Sequence, residues 1–86
     1  DWVFEVGERL VLVVKKDGRY FAMDDWCNHA GCQLSFGWLE GESVVCPCHG
    51  VGFALADGKV STHPRICDDQ QPFQVEVVDG TLYVTV

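Results

Sequence analysis

The stretch Leu10-Val-Leu-Val-Val-Lys-Lys-Asp-Gly-Arg-Tyr-Phe-Ala-Met23 decides the fold class of this 86-residue chain. Its first half, Leu10–Val14, is apolar and rich in β-branched residues, which is typical of a strand at least partly buried on both faces. The pair Asp17-Gly18 separates this run from a second one, Arg19–Met23. An Asp-Gly pair between two such runs predicts a β-hairpin.

The same Asp-Gly punctuation recurs towards the end of the chain. It stands at Asp57-Gly58 and again at Asp79-Gly80, which divides the run 73–78 from the run 81–86. Apolar and polar residues alternate along both runs, as in half-exposed antiparallel strands. No stretch has the periodicity of a helix, and prolines bracket an irregular connection over residues 61–72. The sequence therefore predicts an all-β fold, a small antiparallel barrel or sandwich.

Length and charge limit the classes of function. Eighty-six residues suffice for one small domain, taken as residues 1–86, and a core of this size often needs a metal or disulfide to stabilise it. The formal net charge of −7 argues against nucleic acid as a partner, since phosphates would repel such a surface. It also argues against a polybasic membrane contact.

The apolar runs are short and the cysteine count is odd. The longest apolar run, Leu10–Val14, is far below the roughly 18 residues that span a bilayer. The five cysteines argue weakly against a fully oxidised secreted scaffold. We therefore expect a cytoplasmic monomer that binds no membrane, although the start of the chain does not itself reveal the compartment.

Two short segments carry residues of a different kind. The first is Cys27-Asn-His29-Ala-Gly31-Cys32, and the second is Cys46-Pro-Cys48-His49-Gly50. Each places a histidine two or three residues after a cysteine and a glycine one or two residues after that histidine. Thiolate suits iron–sulfur clusters and zinc, and imidazole suits iron and zinc alike. Sixteen residues separate His29 from Cys46, which leaves room for a hairpin that turns at residues 40–43 and brings the segments together.

Two other interpretations of these segments compete with an iron–sulfur site. Small buried cysteines are common core residues, but core packing does not account for two histidines at fixed spacing from them. A structural zinc ion is the sharper alternative, held by four of Cys27, His29, Cys32, Cys46, Cys48 and His49. The Cys-x-His start fits that poorly, because zinc sites usually pair ligands as Cys-x₂₋₄-Cys or His-x₃₋₅-His.

The double motif Cys-x-His, sixteen residues, Cys-x-x-His resembles that of the Rieske family, with which the flanking residues Gly31, Leu34, Pro47, Gly50 and Phe53 also agree. The resemblance implies a Rieske-like β domain with two cluster-binding loops and one 2Fe–2S cluster per chain. Cys27 and Cys46 would then bind the inner iron, and His29 and His49 the outer one. This division of ligands raises the reduction potential above that of an all-cysteine cluster.

The resemblance extends to Cys32 and Cys48. In the Rieske proteins of cytochrome bc complexes, cysteines at the matching positions form a disulfide between the loops, so the same pairing is expected here. Those proteins also carry Ser and Tyr where this chain has Val51 and Phe53. The reduction potentials of Rieske clusters range from about −150 to +300 mV, and without the two hydroxyl groups we expect a value in the lower half of that range.

The implied function is the transfer of single electrons. A ferredoxin of this kind takes an electron from a reductase and gives it to an oxygenase or similar terminal oxidoreductase. The sequence contains no residues recognised as catalytic for a substrate. Two alternatives remain: a subunit or fragment of a larger oxidoreductase, of the nitrite reductase or Rieske oxygenase type, and a structural zinc-binding module.

Overall fold

Eight strands and one short 3₁₀ helix make up the computed structural model, which describes residues 2–28, 31–62 and 67–86. The strands are β1 (Trp2–Val6), β2 (Arg9–Lys16), β3 (Arg19–Asp24), β4 (Trp38–Glu40), β5 (Ser43–Val45), β6 (Gly52–Ala54), β7 (Pro72–Val78) and β8 (Thr81–Thr85); the 3₁₀ helix is Leu34–Phe36. All strand pairings are antiparallel. The all-β prediction is confirmed, and the short 3₁₀ helix adds to it.

The strands form two sheets. The larger has five strands in the order β1-β2-β3-β7-β8, and the smaller has three in the order β4-β5-β6. Two of the predicted Asp-Gly hairpins are present: Lys16 pairs with Arg19, and Val78 pairs with Thr81. In both turns the aspartate and the glycine have positive φ, 52° and 76° in the first. Such turns match the right-handed twist of the flanking strands.

The third Asp-Gly pair makes a different turn. Instead of a second hairpin strand directly after Gly58, the described residues form an isolated bridge between Val60 and Phe53. The predicted turn over residues 40–43 is confirmed, since Glu40 pairs with Ser43 at the end of the β4–β5 hairpin. That hairpin, with β6, forms the small sheet.

Strand β2 is buried on both of its faces and separates two apolar clusters. Leu12 and Val14 point into the larger cluster, which lies between the sheets. Val11 and Val13 point into the smaller one, inside the curl of the five-stranded sheet. The continuous apolar run in the sequence therefore reflects a strand that serves two cores.

The last hairpin is less buried than its alternation predicts. Phe73 and Val75 are partly buried, whereas Val77 is 50% exposed. The reason is the short pairing of β7 with β3, which involves only Pro72 and Phe73. The turn end of the β7–β8 hairpin thus extends past the core.

Candidate metal centre

The first candidate loop follows β3 and closes on its own backbone. The Cys27 amide donates to the Cys32 carbonyl at 2.6 Å, and the Gly31 amide donates to the Cys27 carbonyl at 3.2 Å. Gly31 has φ of +66°, a backbone conformation that residues other than glycine rarely adopt. The loop thus turns back on itself within six residues.

The second candidate loop joins β5 to β6 and repeats this closure. The Cys46 amide donates to the Val51 carbonyl at 2.8 Å, and the Gly50 amide donates to the Cys46 carbonyl at 3.0 Å. Gly50 has φ of +68°. In each loop, then, the cysteine amide bonds to the carbonyl five residues later, and the glycine four residues after the cysteine bonds back to it.

The candidate ligands lie at two depths. Cys27 and Cys46 are only 2% and 1% exposed, and both belong to the larger apolar cluster. His49 is exposed on the surface of the second loop. The predicted ligand His29 lies outside the described residues. Among the three ligands that the structure places, the thiol groups therefore lie inside and the imidazole lies outside.

A disulfide bond joins the two loops. It links Cys32, at the end of the first loop, to Cys48, near the start of the second, with their Cα atoms 6.5 Å apart. Cys48 is exposed and Cys32 partly buried. The crosslink engages two of the six candidate ligands and holds the loops side by side.

A buried carboxylate supports the first loop from below. Asp25 is fully buried, and its oxygens accept hydrogen bonds from the Ser35 amide at 2.8 Å, the Ser35 hydroxyl at 2.8 Å and the Gln33 side-chain amide at 3.1 Å. The Leu34 amide adds a bond to the Asp25 carbonyl at 2.8 Å. These bonds fix the segment that leaves the loop to the segment that enters it.

A second polar support involves Gln70, which is only 3% exposed. Its side-chain oxygen accepts from the Asn28 side-chain amide at 2.7 Å and from the Asn28 backbone amide at 3.2 Å. Asp25, Asn28 and Gln70 were not among the site residues predicted from the sequence. Only Asn28 carried a signal, its position between two candidate ligands.

The donor set and its spacing fit a two-iron group. A 2Fe–2S cluster takes only two protein ligands per iron, with two histidines replacing two cysteines on one iron in Rieske centres. The buried thiols and the exposed imidazole match that division.

An all-β domain with two crosslinked loops, buried thiols and an exposed imidazole matches the class of iron–sulfur proteins with mixed cysteine and histidine ligation. A family model described as the Rieske [2Fe–2S] domain matches residues 2–74. The chain belongs to this family. Its cofactor is a Rieske [2Fe–2S] cluster, which decides against the zinc alternative.

Curated relatives and solved structures are similar over most of the chain. The 3-phenylpropionate/cinnamic acid dioxygenase ferredoxin subunit of Photorhabdus laumondii is 41% identical over 71 residues, 81% of this chain and 67% of the relative. Ferredoxin CarAc of Metapseudomonas resinovorans is 33% identical over 82 residues, 95% of this chain and 76% of the relative.

A solved complex of reduced oxygenase and oxidised ferredoxin in carbazole 1,9a-dioxygenase contains a chain with a TM-score of 0.86 and 33% identity. The match covers 96% of this chain and 84% of that one. These likenesses confirm the predicted fold and the prediction of an electron-transferring ferredoxin. None of the helical structure in the described residues is long and apolar enough to cross a membrane.

Proposed function

We propose that this chain is the ferredoxin component of a multicomponent oxygenase and delivers single electrons to the oxygenase. The likeness to ferredoxin subunits of dioxygenase systems carries this proposal. The solved ferredoxin–oxygenase complex supports the choice of partner. A reductase that supplies the electron is the second partner, and we expect the chain to act as a cytoplasmic monomer.

We propose Cys27, His29, Cys46 and His49 as the ligands of the cluster. The equivalent closure of the two loops supports this set, because it gives Cys27 and Cys46 the same backbone surroundings. Their burial and the exposure of His49 support the assignment of the cysteines to the inner iron and the histidines to the outer one. When bound, the cluster accepts and returns one electron.

The residues of the chain do the remaining work by holding and shielding. Val51 and Phe53 are buried beside the second loop, at 3% and 0% exposure, and exclude water from the inner side of the site. The loop tips carry the exposed residues Gly31, Pro47 and Gly50, which bring no charge to be desolvated when a partner docks. The exposed face of His49 is then the side from which an electron leaves.

We further propose that the Cys32–Cys48 pair corresponds to the loop disulfide of cytochrome bc Rieske proteins. The bond itself and its position between the two loops support this correspondence. Val51 and Phe53, which have no hydroxyl groups, distinguish the site from those proteins. The reduction potentials of Rieske clusters range from about −150 to +300 mV, and we therefore expect protein-film voltammetry to give a value in the lower half of that range. A value near the top of the range would overturn this expectation, and more of the tuning would then be assigned to the disulfide.

One preparation tests the ligand set and the cofactor together. The purified protein should contain iron and labile sulfide in equal amounts, and its dithionite-reduced form should give an EPR signal of lower average g than an all-cysteine cluster. The variants Cys27→Ser and Cys46→Ser should lose the signal. Cys67, the cysteine outside both loops, provides the matched control, and Cys67→Ser should keep the signal. A reduced protein without an EPR signal, or with bound zinc, would overturn the proposal.

A further inference from the structure

Gln70 uses every hydrogen-bonding position of its side chain inside the protein. Its Nε2 donates to the Asp24 carbonyl at 2.8 Å and to the Trp26 carbonyl. Its Oε1 accepts the two bonds from Asn28. A side-chain amide has two donors and one oxygen acceptor, so this buried glutamine is fully satisfied. It acts as a polar core for the strand end and loop start at residues 24–28.

Asn28 completes the connection from the other side. Its Nδ2 donates to the carbonyls of Asp68 and Asp69 at 2.8 and 3.3 Å as well as to Gln70. Asn28 and Gln70 therefore join two chain segments more than forty residues apart through both side-chain and backbone groups. We call this set of bonds the Asn28–Gln70 clasp.

The segment that carries Gln70 is itself held to the chain beyond the second loop. The Gln70 amide donates to the Gly58 carbonyl at 2.8 Å, and an Asp69 carboxylate oxygen accepts from the Val60 amide at 2.9 Å. Val60 in turn bridges to Phe53 of β6. The clasp thus connects the first loop to the support of the second by a route separate from the disulfide.

We propose that Asn28 and Gln70 are positioning residues for the metal centre. Asn28 directly follows the proposed ligand Cys27, so the clasp fixes the backbone next to that ligand. This inference rests on the ligand set proposed above. Without the clasp, the first loop would lose its hydrogen bonds to the segment around Gln70, and the backbone at Cys27 would be held less firmly.

A substitution that changes one atom of the Gln70 side chain can distinguish a positioning role from simple packing. Gln70→Glu keeps the shape of the side chain and the oxygen that accepts from Asn28. It replaces the donor Nε2 by an oxygen that faces the carbonyls of Asp24 and Trp26. Gln71→Glu is the matched control, because Gln71 is exposed and its side chain donates only to the neighbouring Pro72 carbonyl, at 2.9 Å.

The experiment measures iron release and EPR line shape in the iron-loaded protein. Gln70→Glu should lose iron to a chelator about tenfold faster than the parent, because outer partners of metal ligands commonly contribute 10–100-fold to affinity. Its EPR features should broaden as the ligand geometry becomes heterogeneous. Gln71→Glu should match the parent in both measurements. Asn28→Asp, at an exposed position, repeats the test if Gln70→Glu does not fold.

The outcomes separate this inference from the proposed function. Parent protein without iron and sulfide would overturn the proposed function before any variant is compared. Parent protein with a normal cluster, and Gln70→Glu indistinguishable from Gln71→Glu, would overturn the clasp alone. A lower melting temperature with unchanged iron release and EPR line shape would also overturn it, since the residues would then stabilise the fold without positioning the ligands.

Discussion

The first loop, residues 27–32, and the second, residues 46–51, close on the same pair of backbone hydrogen bonds but rest on different supports. The second loop is the turn of a hairpin, since Val45 and Gly52 on either side of it are paired in the β5–β6 ladder. The first loop has only one isolated bridge at the matching place, between Trp26 and Gln33. The second loop is therefore held by a strand pair across its base, whereas the first follows β3 and has a single bridge there.

Side chains make up the difference. Two residues before the proposed ligand cysteine, the first loop has Asp25 and the second has Val44, and both are buried. Asp25 ties the first loop to Ser35 and Gln33, and the clasp ties it to the segment around Gln70. A loop without a strand pair across its base can thus reach the same backbone shape through directed polar bonds, some from its own flanks and some from a distant segment.

The disulfide is the bond that both loops share, and breaking it should have the largest effect on the stability of the protein. The double variant Cys32→Ser/Cys48→Ser opens a closure with a sequence separation of 16 and should cost about 3 kcal/mol. Hydrogen exchange should rise more over residues 24–36 than over residues 43–54, because the second loop keeps its strand pairing. An equal rise in both segments would contradict the difference in support.

Removing the charge of Asp25 should have the next largest effect, confined to the first loop. Asp25→Asn places an amide donor against the Gln33 donor and weakens the bonds from Ser35, at a cost of about 2 kcal/mol. Hydrogen exchange over residues 24–36 measures this cost. Asp57→Asn serves as the control, since Asp57 is exposed and accepts one bond from the Lys59 amide. Faster exchange in the second loop as well would show that the two supports are coupled.

The smallest effect should fall equally on both loops. Gly31→Ala and Gly50→Ala each force a side chain into a left-handed conformation, at a cost of about 1–2 kcal/mol, with no atom within 4 Å of the added methyl group. Equal losses in thermal stability are expected because the φ values are +66° and +68°. Gly18→Ala, at φ +76° in the β2–β3 turn, should lose as much thermal stability. Because Gly18 lies outside both loops, this variant should release iron no faster than the parent protein. Unequal losses at Gly31 and Gly50 would break the equivalence of the loops.

The local patterns in the sequence predicted much of this structure. The β2–β3 and β7–β8 hairpins follow from Asp-Gly pairs between apolar runs, and the β4–β5 turn follows from the spacing of the motifs. The all-β fold, the Rieske family and the ferredoxin class were predicted from the sequence and are confirmed. The ligand set remains a proposal, with His29 outside the described residues.

The supports of the first loop could not be predicted in the same way. Asp25 follows Asp24 at the end of a strand, and no periodicity distinguishes the buried carboxylate from the more exposed one. Gln70 stands in an irregular polar stretch, beside Gln71, and only the fold brings it to Asn28. The exposure of Val77 likewise depends on how far β3 pairs with β7, which is a property of the whole sheet.

Strand β2, with Val11 and Val13 in one apolar cluster and Leu12 and Val14 in the other, has a consequence for redesign of the protein. In a strand with one face in solvent, every second residue can be substituted without disturbing a core, but these four residues are all buried. A substitution at Leu12 or Val14 alters the apolar cluster that contains Cys27 and Cys46. A substitution at Val11 or Val13 alters the cluster inside the curled sheet. New partner specificity is therefore better built on exposed positions such as Phe36 and Trp38, which are 75% and 51% exposed.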